Sequence, residues 1–401
     1  MTQDAYIYDG GRSAFGRHGG ALSSVRPDDL LAHVISSLVQ RNNFDLASYE
    51  DVIAGSTNQA GEDSRNVARF SGLLAGLPME TGGITVNRLC GSSLAAALDA
   101  ARCVKVGEGD LFVAAGVESM SRAPLVVSKA ISAFDRNQEI ADTTMGARFT
   151  NAKIIDQFGS HTMPQTADNI AADLGITREQ SDAFALASQA KYQTAKANGF
   201  YVDEIIPIDV KQGRKKPTLT VDSDEHPRAE TQLSSLQQLS PLFDGGVVTA
   251  GNASGINDGA SAVLIGNEAV GQSAGLTPRA RILAGAIAGV EPRVMGLGPV
   301  PATQKALTRA GLSIDDLDVM EFNEAFATQA LGCMKQLGIA FDDPRVNANG
   351  GAIAIGHPLG ASGTRILYTA LRQLEKTGGR YGLATMCIGI GQGIAVIIER
   401  L

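Results

Sequence analysis

The chain has 401 residues, with 44% apolar, 19% charged and 5% aromatic residues and a formal net charge of −8, enough length for two or three compact domains. The acidic balance excludes the broad basic surface that nucleic acid or an acidic membrane would demand, while a local Arg/Lys cluster can still meet a phosphate-bearing ligand. The longest apolar run, Ile282 to Val290, is far shorter than the ~20 residues of a membrane span. Met1-Thr-Gln-Asp-Ala-Tyr6 carries no basic-then-apolar secretory pattern. The expectation is a soluble, cytoplasmic protein.

In chain order, Pro27 to Gln40 reads as a helix, and Asp51 to Gly55 and Gly83 to Val86 as buried strands. Ser92 to Val106 reads as a helix apolar on nearly every face (Leu94, Ala95, Ala96, Ala97, Leu98, Ala100, Ala101), which places it inside the molecule. Leu111 to Gly116 is the next strand. From Ser121 to about Thr249 the chain turns more polar, with a basic run from Lys211 to Lys216, an acidic Asp222 to Glu225 and an amphipathic helix over Arg178 to Asn198. This stretch reads as an insertion between strands, a common place for ligand-binding loops.

The last third repeats the first. Asp318-Val-Met-Glu-Phe-Asn323 resembles Asp51-Val-Ile53, and Val346-Asn347 resembles Val86-Asn87. A helix from about Ser362 to Lys376 then leads into the strand Gly382 to Cys387. The shared order points to an internal duplication. The expected domains are residues 1–120 with 249–275, an inserted loop domain over 121–248, and 276–401.

Four cysteines, Cys90, Cys103, Cys333 and Cys387, form no C-x-x-C pair and lie far from the five histidines, so neither a zinc site nor a disulfide framework has support. Cys103 and Cys333 fall inside amphipathic helices as core filler. Cys90, in Val86-Asn-Arg-Leu-Cys-Gly-Ser-Ser93, stands between a strand and a helix. There a helix dipole and free N–H groups favour a thiolate, although a small buried hydrophobe is the alternative. His357 lies among glycines in Asn349-Gly-Gly-Ala-Ile-Ala-Ile-Gly-His-Pro-Leu-Gly360, suited either to taking a thiol's proton or to bracing a tight turn. Cys387 precedes Gly389, Gly391 and Gly393, whose N–H groups can meet an oxyanion or simply form a turn. Asn323-Glu324-Ala325-Phe326 follows a strand, where Asn323 and Glu324 read equally well as caps of the next helix.

Together these segments, with Gly116-Val-Glu-Ser-Met-Ser-Arg122 and Gly251-Asn-Ala-Ser-Gly-Ile-Asn-Asp-Gly259, resemble the thiolase family in the family's own order along essentially the whole chain. The resemblance implies an α/β fold of two duplicated βαβαβ halves in a five-layer α/β/α/β/α core with an inserted loop domain. It implies a homodimer or homotetramer, CoA thioesters as substrates, and no metal or permanently bound cofactor. It also assigns roles: Cys90 as the acylated nucleophile, His357 as its base, and Cys387 as the acid for the departing enolate and the base for incoming CoA. Asn323 would hold a water that binds the thioester oxygen together with His357, and the N–H groups of Cys90 and Gly389 would form a second oxyanion hole. CoA would meet Met163, Arg228, Phe243, Ser254, Ala325 and Phe326, with Arg228 facing phosphate; set apart from the resemblance, Met163 and Phe326 read as core. Arg214, Lys215 and Lys216 read as a solvated loop or as further phosphate contacts.

Within the family, Gln59 to Arg69 and Asp142 to Phe149 resemble the 3-oxoadipyl-CoA thiolases of aromatic-compound breakdown. Their substrate ends in a carboxylate, for which Arg65, Arg69 and Arg148 are candidates. Cys90-Gly-Ser-Ser93 is closer to the thiolases of fatty-acid oxidation, and acetoacetyl-CoA synthesis is the other alternative activity.

Overall fold

In the computed structural model, which describes residues 3–213 and 217–401, the first half runs β1 (Tyr6–Arg12), α1 (Pro27–Arg41), β2 (Tyr49–Gly55), α2 (Val67–Leu74), β3 (Gly82–Val86), α3 (Ser92–Val106), β4 (Leu111–Ser119). The chain then leaves the sheet through α4 (Met163–Leu174) and α5 (Arg178–Ala197) and returns as β5 (Asn257–Gly266). The second half runs β6 (Ala280–Gly289), α6 (Pro299–Ala310), β7 (Val319–Phe322), α7 (Ala327–Leu337), α8 (Ser362–Thr377), β8 (Tyr381–Ile388) and β9 (Gln392–Arg400). Helix starts follow their local chemistry: Pro27 opens α1, and Thr177 with Gln180 forms a capping box at α5.

The strands lie in the order β7-β8-β9-β6-β1-β5-β4-β2-β3. In the first half β2 pairs parallel with β3 and β4, and β5 runs antiparallel to β4. In the second half β7 pairs parallel with β8, and β9 runs antiparallel to β8. Val346 makes a parallel bridge to Met320, which gives β7 the neighbour that β3 is to β2. The duplication read from the sequence is thus present in the topology. The halves join where Tyr6 meets Arg281 and Ile7 meets Ala280, so they share one continuous sheet.

Three cores separate the layers. α3 and α8 lie in the middle, touched by Phe112, Ala114 and Ile265 of one half and by Val319, Ala384 and Ile394 of the other. This explains why α3 is apolar all round. α1 and α2 cover the outer face of the first half through Leu30, Val34, Leu38 and Val67. α6 and α7 cover the second through Val300, Ala306, Cys333 and Met334. The result is the expected five-layer α/β/α/β/α core, in which each fully buried Leu or Ile contributes roughly 1.5–3 kcal/mol. At the centre the helices touch backbone to backbone, since a Cβ on Gly363 would fall 2.3 Å from Leu94 N.

The excursion between β4 and β5 also holds two small ribbons, Leu125–Val127 with Ile140–Asp142 and Ile208–Val210 with Leu219–Val221. α4 packs its Ile170 and Ala171 against Leu331 of α7, which sets this segment over the carboxyl ends of β7 and β8. Arg214, Lys215 and Lys216 lie outside the described residues. Among the described residues no helix is long and apolar enough to cross a membrane.

Candidate active site

The turn after β3 is tightly tied. Leu89 N donates to Asn87 Oδ1 at 2.9 Å and Arg88 N to Ser92 Oγ at 2.9 Å, while Ser92 Oγ donates to Leu89 O at 2.6 Å. These bonds hold Leu89 at φ 45°, a left-handed conformation that a branched side chain adopts only when its surroundings impose it. The turn presents Cys90 half-buried just before Gly91, the N-cap of α3. A side chain at Gly91 would meet Ile388 Cδ1 at 2.7 Å.

The expected thiolate is not the resting state. Burial pushes the Cys90 thiol up to about 11, against the pull of the Gly389 and Cys90 N–H groups. Desolvation therefore outweighs the helix terminus, and Cys90 needs a base.

His357 supplies a candidate. Its N–H donates to Asn257 Oδ1 at 2.9 Å, and Gly356, at φ 109°, leaves room for Asn257, whose Cγ would lie 2.6 Å from a Cβ there. The ring Nδ1 is 2.6 Å from Ser362 Oγ, which itself donates to Pro358 O at 2.9 Å. A hydroxyl has one proton, so Nδ1–H donates to Ser362 and Nε2 keeps its lone pair. Asn323 Nδ2 lies 3.3 Å from that Nε2 and donates to it. Burial, and then the Arg365 guanidinium, hold His357 down to about 3, so the imidazole is neutral at working pH.

Asn323 continues the ladder past β7, its N–H donating to Thr385 O at 3.0 Å. Its Oδ1 is buried with no hydrogen-bond partner among the protein atoms, an acceptor suited to a water or ligand hydroxyl. Neither Asn323 nor Glu324 caps the following helix: α7 has Phe326 as its N-cap. Cys387, buried at the end of β8, is pushed well above the ordinary thiol range by burial first and then by Cys90 and Cys333. It packs in one cluster with Met163, Met295, Ala325 and Phe326.

Of the three glycines after Cys387, only Gly389 turns toward the site: its Cβ position faces Leu89 Cδ1 at 3.2 Å and Met163 Sδ at 3.9 Å. Gly391, at φ 78°, and Gly393 serve packing instead. A Cβ on Gly393 would fall 1.9 Å from the Gly298 carbonyl carbon, and one on Gly391 2.2 Å from Val290 O.

Ser254 joins the Cys387 cluster through its N–H, which donates to Ala325 O at 3.0 Å. Arg228 and Phe243 are exposed on the excursion, Arg228 anchored by its N–H to Gln189 Oε1 at 2.9 Å. Among the carboxylate candidates, Arg69 is spent on the carbonyls of Thr81 and Met79. Arg65 is exposed at φ 68°, and Arg148 lies near enough to Asp63 to favour its charge.

Residues 5–269 match the family model for the thiolase N-terminal domain and residues 276–400 that for the thiolase C-terminal domain. The chain belongs to the thiolase family. Similar relatives include the 3-oxoadipyl-CoA/3-oxo-5,6-dehydrosuberyl-CoA thiolase of Escherichia coli, 56% identical over 100% of both chains. A beta-ketoadipyl-CoA thiolase of Acinetobacter baylyi is 55% identical over 99% of both. Among solved structures, human mitochondrial 3-ketoacyl-CoA thiolase in complex with CoA matches with a TM-score of 0.91 at 38% identity, covering 100% of this chain and 98% of that one.

This thiolase also uses buried residues that motif reading left without a role. Glu118 accepts from Thr57 N and Gly360 N at 3.0 and 2.9 Å and from Asn58 N at 3.1 Å, pinning the loop that carries His357. Glu324 accepts from Asn347 Nδ2, Ser188 Oγ and Ile353 N at 2.7, 2.7 and 3.1 Å, fixing the same loop from its other end. The available signal was a lone carboxylate at the end of an apolar strand, Leu111 to Glu118. For Ser362 and Asn257 there was none, because they meet His357 only through the fold.

Proposed function

We propose that this thiolase cleaves 3-oxoadipyl-CoA with CoA to give acetyl-CoA and succinyl-CoA. The substrate reading is supported by the names of its 55% and 56% identical full-length relatives. The observation that carries the chemistry is a pair of protonated thiols, Cys90 acting on Cys387, together with a neutral imidazole that keeps Nε2 as its acceptor atom.

In the first half-reaction His357 Nε2 takes the Cys90 proton and the sulfur adds to the ketone carbon, its oxyanion held by the Cys90 and Gly389 N–H groups. The carbon–carbon bond breaks, and the acetyl-CoA enolate leaves with its thioester oxygen held by the new Nε2–H and by a water on Asn323 Oδ1. Cys387 then protonates the enolate carbon. In the second, the Cys387 thiolate takes the proton of incoming CoA, whose sulfur attacks the acyl-Cys90 carbonyl at the same pair of N–H groups. Cys90 leaves and recovers its proton from His357.

CoA lies along Met163, Ser254, Ala325 and Phe326, with Phe243 on the excursion and Arg228 toward the phosphates. The terminal carboxylate of the acyl chain meets Arg148 or Arg65. The protein is a homodimer or homotetramer. Edge strand β3, with exposed Ile84 beside exposed Phe70, Leu74 and Met79, is the apolar edge that such pairing covers.

Thiolysis of a panel of 3-oxoacyl-CoAs, with mass analysis of acylated peptides, tests this reading. Turnover surviving in Cys90→Ala, or an acyl group on another residue, would sink the mechanism. A preference for acetoacetyl-CoA over 3-oxoadipyl-CoA would sink the substrate alone.

A further inference from the structure

Beneath the chain Asn323–His357–Ser362 lies a charged pair that this mechanism does not use. Glu321 stands two residues before Asn323 on the β7 ladder, so both side chains turn to the central layer. Arg365 stands one helical turn after Ser362, on the same face of α8. Glu321 Oε2 and Arg365 Nη1 are 3.5 Å apart, and both side chains are wholly buried. β7 and α8 are therefore joined by two rungs, the catalytic chain above and the ion pair below.

The lower rung is a poor packing device. Glu321 Oε1 and Arg365 Nε and Nη2 have no partner among the protein atoms, and burying an ion pair seldom gains stability over apolar residues of the same volume. α3, which holds in the first half the place of α8, buries no charged residue. Of the two central helices only α8 carries a buried charge, one turn after the residue that holds the histidine.

The geometry points to Arg365, held by Glu321, as a positioning residue for His357: it sets α8 against β7 so that Nε2 keeps facing Asn323, and its positive charge keeps the imidazole in its proton-accepting form. The neighbours agree. The charged group that bears on the imidazole is Arg365. Glu321 faces Arg365, Glu204, Glu324 and Lys191. Of these, Glu204 is tied to Arg12 and Thr369, Glu324 to Asn347 and Ser188, and Lys191 to Val346 O. Burial pushes Glu321 up to about 8 despite Arg365, so the pair is cationic at neutral pH and becomes neutral above it.

The inference rests on His357 acting as base for Cys90, and its test needs no acyl-CoA. The rate of Cys90 alkylation by iodoacetamide is followed against pH by peptide mass, for the full-length protein and folded variants. Arg365→Met removes the charge at similar length. It should move the acid limb, set by His357 near pH 3, up by about one pH unit, while Arg365→Lys keeps the limb in place. A folded Arg365→Met with an unshifted limb, or equal shifts in the Met and Lys variants, overturns the proposal. Should Arg365→Met not fold, Glu321→Gln decides. The unaltered protein should show a second inflection near pH 8 that Glu321→Gln lacks, and identical profiles overturn the proposal. Failure to turn over 3-oxoadipyl-CoA would reject the proposed substrate and leave this readout intact.

Discussion

The two halves of the molecule share one topology and, on the proposed mechanism, divide the chemistry between them. In the first, β3 passes to α3 through a turn of a few residues that holds Leu89 left-handed and presents Cys90 half-buried. In the second, the same connection from Val346 to α8 is long and glycine-rich, and it brings His357 back over Ser362. The inequality reverses at the next strand. β4 opens into the whole excursion that reaches β5 only at Asn257, whereas β8 turns back at once through Gly389 and leaves Cys387 facing the site. A duplicated scaffold thus offers the same strand ends twice, and loop length decides whether each end holds a thiol, an imidazole or a long excursion.

That division can be broken from either side. Cys387→Ala should lower thiolysis by about 10²–10⁴ while Cys90 still takes an acetyl group from acetyl-CoA, because a CoA thiolate leaves without a proton more readily than a carbon enolate. Equal loss of both, measured by steady-state rates and intact mass, would show that the thiols are not divided in this way. Next in size are the loop anchors, one from each half. Glu118→Gln and Glu324→Gln each weaken charge-assisted bonds to the His357 loop and should each cost about 1.5–3 kcal/mol in urea unfolding. A cost confined to one of them would show that the loop is held from a single side.

A further test is the pH dependence of stability. His357 is held below its ordinary 6.5, to about 3, so the unfolded chain binds its proton first. The contribution is whole above pH 6.5 and is lost as pH falls toward 3, with a slope of at most ~1.4 kcal/mol per unit. His357→Asn should flatten that limb in melts taken across pH. An unchanged limb would mean that another group sets it.

Much of this was legible beforehand. The strands β2, β3, β4, β7 and β8 and the central helices lie where short apolar runs and the all-round apolar α3 placed them. The chemical residues stood in motifs whose order was informative. What local reading left open, the structure closed: Cys90 rests as a thiol, Asn323 and Glu324 do not cap the next helix, and of the three glycines after Cys387 only Gly389, the one the family resemblance assigns, faces the site. Each was decided by surroundings distant in sequence, namely the apolar cover that Ile388 gives the Cys90 turn, His357 beside Asn323, and Gly298 beside Gly393.

The sequence by itself determined most of the elements, the duplication and the motifs that hold Cys90, Asn323, His357 and Cys387, because periodicity and motif are short-range properties. Only the tertiary structure decided their protonation and orientation. The Nδ1–H of His357, the protonated Cys90 and the Glu321–Arg365 rung depend on desolvation and on hydrogen bonds across the central layer, which join strands and helices that the chain holds far apart.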